Sequence, residues 1–185
     1  MEKFPVLETE RLVLREASIT DAVDMFVYLS DREVTTPMGI PPYITANDVF
    51  NEEISWYKAI ASEGTGMRWV ITEKDSDVVI GSCGFLNMSR EHHRAEIGFE
   101  LNKTSWGRGI ASEAVAAVVD YGYSHLNLNR IEAIVDPSNL SSQKVLEKQA
   151  FMKEGLLRHY EYNFGKFSDV LMYALVKEEY KLRNT

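Results

Sequence analysis

Apolar and polar positions alternate along Arg11-Leu12-Val13-Leu14-Arg15, and again along Ala95-Glu96-Ile97-Gly98-Phe99-Glu100-Leu101. A period of two predicts a strand in each case. In the second strand Ile97, Phe99 and Leu101 take one face while Glu96, Gly98 and Glu100 take the other. The period then changes. Ile110, Ala111, Ala114, Val115, Val118 and Val119 recur at helical spacing and predict an amphipathic helix that ends near His125. Between strand and helix lie the turn residues Asn102 to Ser105 and the glycine pair of Trp106-Gly107-Arg108-Gly109. The chain from Arg94 to Asp120 therefore reads strand, polar connection, glycine pair, helix, and the other elements arrange themselves around it.

Before that unit, Ser18 and Asp21 have capping-box spacing ahead of a helix lined by Ala22, Val23, Phe26 and Leu29. Asp31 to Thr45 holds Pro37, Gly39, Pro41 and Pro42, which exclude helix and central strand. Its Met38, Ile40 and Tyr43 are apolar for a loop and suggest a lid or pocket wall. Thr45 or Asn47 caps a second helix running to about Ser62. Arg68 to Thr72 and Val78 to Leu86 flank a polar turn and predict an antiparallel hairpin. After the central helix, Arg130 to Val135 predicts a strand parallel to the central one, reached by a right-handed crossover. Leu140 to Lys148 predicts a fourth helix, and Phe151 to Tyr162 with Lys166 to Leu175 a final antiparallel pair around Asn163-Phe164-Gly165. The order β-α-α-β-β-β-α-β-α-β-β implies an α/β fold with a mixed sheet.

Composition narrows the picture. A chain of 185 residues, 45% hydrophobic, suits one domain spanning 1–185. Twenty basic against 28 acidic residues give a formal charge of −8, which argues against nucleic acid as a partner and favours basic or amine-bearing ones. Cys83 stands alone, so no internal disulfide forms, and its apolar neighbours suggest a buried strand thiol. No apolar run has membrane-spanning length, and MEKFPVLETERL lacks a signal-peptide core, so a soluble cytoplasmic protein without a membrane partner is expected. His92 and His93 are adjacent while His125 and His159 are isolated, so no zinc-ligand spacing appears.

A helix that starts at a glycine turn leaves backbone N–H groups unpaired under the positive end of its dipole. Gly107, Gly109 and Ala111 keep that rim free of bulk, so a pyrophosphate can approach. The plain alternative is a turn that needs glycine for its backbone angles. Gly107-x-Gly109-x-x-Ser112, with Glu132 downstream, also has the outline of a dinucleotide fingerprint. Against that outline, the third glycine is missing, and three strands and two helices precede the unit. Asn139 is a good N-cap with Ser142 in the first helical turn, a reading that suffices structurally by itself.

Taken together, the motifs resemble the GNAT superfamily of acetyl-CoA-dependent N-acetyltransferases, and within it the RimJ/RimL type that modifies ribosomal-protein N-termini. The resemblance runs through Thr9-Glu10-Arg11-Leu12-Val13-Leu14-Arg15, Ala95 to Leu101, Trp106 to Ala114, Asn139-x-x-Ser142 and Val145-Leu146-Glu147-Lys148 to Phe151. It implies a mixed, mostly antiparallel sheet with a splayed parallel central pair and four helices. It also implies acetyl-CoA as co-substrate, with no metal. The pyrophosphate would lie on Gly107, Arg108, Gly109, Ile110, Ala111 and Ser112, and pantetheine on the backbone of Phe99, Glu100 and Leu101. A bulge near Gly98 would open the strands there, although a glycine in a strand is equally a packing accommodation. Asn139 would contact CoA, and Ser142 would both line the cofactor site and protonate the departing thiolate. Glu100 is the candidate base, with Glu96, Asp169 and water as alternatives; a salt bridge or solvation is the plain reading of each carboxylate. Trp106 stands where the family often has Gln or Arg, and Ala150 replaces a glycine suited to a left-handed helix end. The implied acceptor is a protein N-terminus or small amine, and a homodimer fits the family. A non-catalytic acyl-CoA sensor on the same fold is the alternative function.

Overall fold

The computed structural model describes residues 3–183; Met1 and Glu2, which open the N-terminal stretch read above, lie outside it, as do Asn184 and Thr185. Alternation places β2 (Leu12–Arg15) against β3 (Met67–Glu73), with Leu12 and Leu14 fully buried. A short β1 (Leu7–Glu8), too brief to leave a periodic signal, pairs antiparallel to β2 at the sheet edge. From there β3, β4 (Val79–Ser89) and β5 (Arg94–Leu101) run antiparallel, β6 (Arg130–Val135) lies parallel to β5, and β8 (Lys166–Val176) with β7 (Met152–Asn163) completes an eight-stranded sheet. The order is β1-β2-β3-β4-β5-β6-β8-β7.

Helices cover both faces. Ile97 and Leu101 of β5, Trp69 and Ile71 of β3, and Cys83 and Phe85 of β4 pack with α5 (Ile110–Ser124) and with Leu146 of α6 (Leu140–Lys148). Trp69 anchors this core, edge-on to Phe4, Phe85 and Tyr121, and its indole N–H donates to the Pro5 carbonyl at 2.9 Å. Each such side chain stabilises by roughly 1.5–3 kcal/mol on burial. On the opposite face Val70 and Val79 meet α1 (Ala22–Leu29), α2 (Arg32–Thr35) and the helix that follows the proline loop. That helix begins as α3 (Ala46–Asp48), loosens into a π-helical stretch over Val49–Ile54, and continues as α4 (Ser55–Glu63). Thr45 caps it: its hydroxyl accepts from Asp48 N–H while the Asp48 carboxylate accepts from Thr45 N–H.

The four expected helices are all present. Two are additional: the terminal α7 (Lys177–Arg183), too polar for a clear apolar stripe, and the short α2, which corrects the exclusion of helix from Asp31 to Thr45 because it ends before Pro37. Ala150 has φ 64°, so the left-handed helix end persists without glycine: Ala150 N–H donates to Glu147 C=O and Phe151 N–H to Leu146 C=O, closing a Schellman motif.

Candidate active site

The site begins where two parallel strands part. Pairing between β5 and β6 runs through Arg94↔Arg130, Ala95↔Ile131 and Glu96↔Glu132, and ends there. Beyond it β5 stays with β4 to Leu101, while β6 stays with β8 to Val135. A wedge therefore opens between residues 97–101 and 133–135, and the edge of each strand that faces the other carries no ladder partner. The expected bulge at Gly98 is absent: the β4–β5 register passes evenly through Gly84↔Gly98, and its shift lies at Leu86/Ser89. Divergence of the strands, not an inserted residue, makes the opening.

Gly98 is glycine for a packing reason. Arg68 on β3, Gly84 on β4 and Gly98 on β5 occupy one row of the sheet. A Cβ on Gly84 would lie 2.5 Å from Arg68 Cα and 2.9 Å from its Cγ, and one on Gly98 would lie 3.0 Å from Nη1. The two glycines form a channel floor along which the Arg68 side chain crosses the sheet. Its Nη2 donates to the Glu100 carboxylate at 2.7 Å and to Ser82 Oγ, while the rings of Tyr57 and Trp56 lie 5.1 and 6.0 Å from the guanidinium carbon.

This overturns the assignment of Glu100 as base. Glu100 is buried in an ion pair with Arg68 and also accepts from Ser82 and, at 3.4 Å, from Tyr57. A carboxylate held in a buried ion pair is already charge-compensated, and taking up a proton there would leave the Arg68 guanidinium buried without a counter-charge. Sequence alternation had placed Glu100 and Glu96 together at the cleft or solvent; the cation that changes Glu100's role comes from a strand thirty residues away, in a run that reads as ordinary apolar strand. Asp169 accepts the His159 N–H at 2.8 Å where β7 is irregular, towards the far end of the β7–β8 pair from the last bridge between β5 and β6. Cys83 is buried, and burial pushes its thiol up to about 12, which removes it as a nucleophile.

Glu96 differs. It sits at the last β5–β6 pair, half-buried, accepting only from the Asn87 side chain at 3.0 Å, and it has no ion pair among the described residues. Burial raises its carboxyl above the usual range; the Asn87 bond opposes this, Glu132 and Glu161 add to it, and Arg68 opposes it. Glu132 is itself held by Arg94 at 2.6 Å and Arg130 at 2.8 Å.

On the other side of the wedge, α5 starts at Gly109 with φ 78°, after Gly107 with φ 73°. Both angles are left-handed, so these turns require glycine. No side chain caps the helix, so the first-turn amides of Ile110, Ala111 and Ser112 have no side-chain acceptor, and a Cβ on the neighbouring Gly107 would meet nothing within 4 Å. Arg108 is exposed and paired with Glu73 at 2.5 Å, while Arg11 bridges Glu113 at 2.6 Å and donates to Arg108 C=O, bracing the turn. Trp106 donates its indole N–H to Leu101 C=O at 2.9 Å, which removes that carbonyl from the backbone groups expected to meet a ligand; the Glu100 carbonyl is turned towards Gly81 of β4 and is removed as well, which leaves Phe99 on the wedge edge. Asn139 caps α6 by accepting Ser142 N–H at 3.1 Å, and Ser142 is half-buried with no hydrogen bond to its hydroxyl among the described residues.

Among the described residues no group of His, Cys, Asp or Glu is arranged to hold a metal, and no helix is long and apolar enough to cross a membrane. Residues 11–152 match the family model described as "Acetyltransferase (GNAT) domain". An uncharacterized N-acetyltransferase, p20 of Bacillus licheniformis, is 46% identical over 174 residues, covering 94% of this chain and 97% of its own. The spermidine N(1)-acetyltransferase of Escherichia coli is 27% identical over 113 residues, covering 61% of this chain and 60% of its own. The solved structure of Mycobacterium smegmatis RimJ in complex with CoA-disulfide superposes with TM-score 0.79 at 27% identity, over 95% of this chain and 87% of that one. The wedge between β5 and β6 and the uncapped glycine start of α5 thus belong to a known architecture, and the chain is an acetyltransferase of the GNAT family.

Proposed function

We propose that residues 1–185 form one N-acetyltransferase domain that moves an acetyl group directly from acetyl-CoA to a primary amine. The observation that carries this reading is the wedge itself: two unpaired strand edges lead from the open amides of α5 to Glu96. The residues fit the co-substrate. First-turn amides of α5 suit a pyrophosphate, and a strand-like pantetheine finds unpaired backbone on Ile97 and Phe99, the alternate residues whose backbone groups point away from β4. When bound, acetyl-CoA supplies an activated thioester. Glu96 takes the proton that the attacking amine nitrogen loses, directly or through one water. A backbone N–H of β5 near Phe99 meets the charge on the carbonyl oxygen. As the carbon–sulfur bond breaks, the Ser142 hydroxyl gives its proton to the sulfur and regains one from solvent, while Glu96 releases the amine's proton to solvent, leaving an N-acetyl amine and a thiol.

The acceptor that suits the site is cationic, either a protein N-terminus of the RimJ/RimL kind or a small amine such as the spermidine named for the Escherichia coli relative. Glu96 and Glu161 face that side without ion pairs among the described residues, and the whole chain carries −8. No nucleic-acid or membrane partner is proposed, and a homodimer in the cytoplasm is the expected state. Thiol release from acetyl-CoA in the presence of ribosomal N-terminal peptides, spermidine and aminoglycosides tests the reading. Amine-dependent release with at least one of these is expected, whereas cofactor binding without release for any amine would refute it.

A further inference from the structure

Arg68 is the most deeply buried cation near the wedge, and the pattern of its bonds is not that of a group held only for stability. Its two hydrogen bonds to side chains both leave through Nη2 toward Ser82 and Glu100, and its Nε has no hydrogen-bond partner. A buried donor left unsatisfied costs stability, so a replacement that filled the space without charge would be favoured if packing were all that mattered. The glycine channel keeps the guanidinium against Gly98, the residue between Glu96 and Glu100 on the same face. The guanidinium therefore lies one position along that face from Glu96, a carboxylate at the wedge without an ion pair among the described residues. Of the other groups facing Glu96, Glu132 from β6 and Glu161 from β7 work against ionisation, while Asn87 from β4, whose amide donates to it, favours the ionised form together with Arg68.

We propose that Arg68, laid across Gly84 and Gly98, is a positioning residue whose charge, together with the Asn87 amide, favours the form of Glu96 that can accept a proton, with Glu100 and Ser82 fixing it in place. This rests on the reading of Glu96 as base. Gly84 and Gly98 are then a matched pair: either one with a side chain would lift the cation off the strand. Arg68 approaches Glu96 through low-dielectric protein rather than solvent, since its side chain is 4% exposed, so salt should screen the effect little.

The test reads the Glu96 carboxyl directly. With 13C-labelled glutamate, the Glu96 resonance is identified by its loss in Glu96→Gln and titrated in the free protein. Two variants are compared, Glu100→Gln and the neutral pair Arg68→Met/Glu100→Gln, with thermal unfolding to confirm that each is folded. Glu100→Gln leaves the Arg68 charge uncompensated, and the Glu96 midpoint should fall below wild type. Removing that charge as well should raise the midpoint by about half a unit or more relative to Glu100→Gln. The acid limb of kcat/KM should move in the same directions, which a loss of packing alone would not produce. If Glu100→Gln does not fold, wild type against the double variant carries the comparison, with a rise expected because the guanidinium lies against Gly98, the next residue after Glu96 on that face. Equal midpoints with and without Arg68 overturn the inference. A midpoint that moves while Glu96→Gln keeps wild-type turnover overturns the base assignment instead, so the two failures are distinguishable.

Discussion

In the proposed reaction Ser142 and Glu96 would divide the chemistry between the two ends of the reacting bond system, and each role predicts a distinct signature. Ser142 contributes its backbone N–H to the Asn139 cap, while its hydroxyl is uncommitted among the described residues. Ser142→Ala therefore keeps the cap. It should leave acetyl-CoA affinity and melting temperature nearly unchanged and lower kcat by roughly ten- to a thousand-fold, because a proton given to the leaving sulfur matters only in the transition state. Loss of about 1 kcal/mol of stability with kcat intact would return Ser142 to a purely structural role. Glu96 must be ionised to accept a proton, and its carboxyl is raised by burial. The sign follows: kcat/KM should climb with pH through a midpoint above the ordinary carboxylate value near 4.3, and Glu96→Gln should lose that limb and roughly 100-fold or more in kcat. The strand alternation made Glu96 and Glu100 look equivalent. What separates them is Arg68, on the next-but-one strand, and no local pattern reports a partner across a sheet.

At the scale of elements, the strand–turn–helix unit was legible because each of its parts has a short-range cause. Alternation fixed β5, the apolar stripe fixed α5, and left-handed angles at Gly107 and Gly109 explain the turn. If the α5 amides hold pyrophosphate, Gly109→Asp adds both a side chain at φ 78° and a like charge, and calorimetry should show acetyl-CoA binding abolished. Arg108→Ala should weaken it only modestly, since that side chain already engages Glu73. Unchanged affinity in Gly109→Asp would sink the cofactor assignment. The end of α6 gives an independent check on the backbone argument. Ala150 sits at φ 64° in an intact Schellman motif, so Ala150→Gly should stabilise by roughly 0.5–1 kcal/mol, the relief of left-handed strain less the added freedom of the unfolded chain. That corresponds to about 1–3 °C in Tm by calorimetry. What stayed illegible depends on longer range or on brevity. β1 is two residues long, the π-helical stretch keeps helical composition, and the parting of β5 from β6 is decided by which strand each one follows.

At the scale of the molecule, charge decides what approaches the wedge. The chain carries −8, yet many of its carboxylates are locally neutralised: Glu100 by Arg68, Glu113 by Arg11, Glu132 by Arg94 and Arg130, and Glu154 by Arg130. Glu96 and Glu161 remain beside the opening without such partners among the described residues, so the local field there has the sign of the whole. A cationic acceptor is drawn in by both, and the long-range part is screened beyond about 10 Å at 0.1 M salt. The acceptor's kcat/KM should therefore fall as ionic strength rises, while kcat at saturation, set by contacts inside the wedge, should change little. Acetyl-CoA bears several negative charges and meets the same overall field with the opposite sign, so its affinity should not weaken in parallel. Measuring both substrates across a salt series separates steering from a general effect of salt on the fold. An acceptor that proved anionic, or a cationic one whose kcat/KM held constant across the series, would show that the unpaired carboxylates play no part in recruiting it.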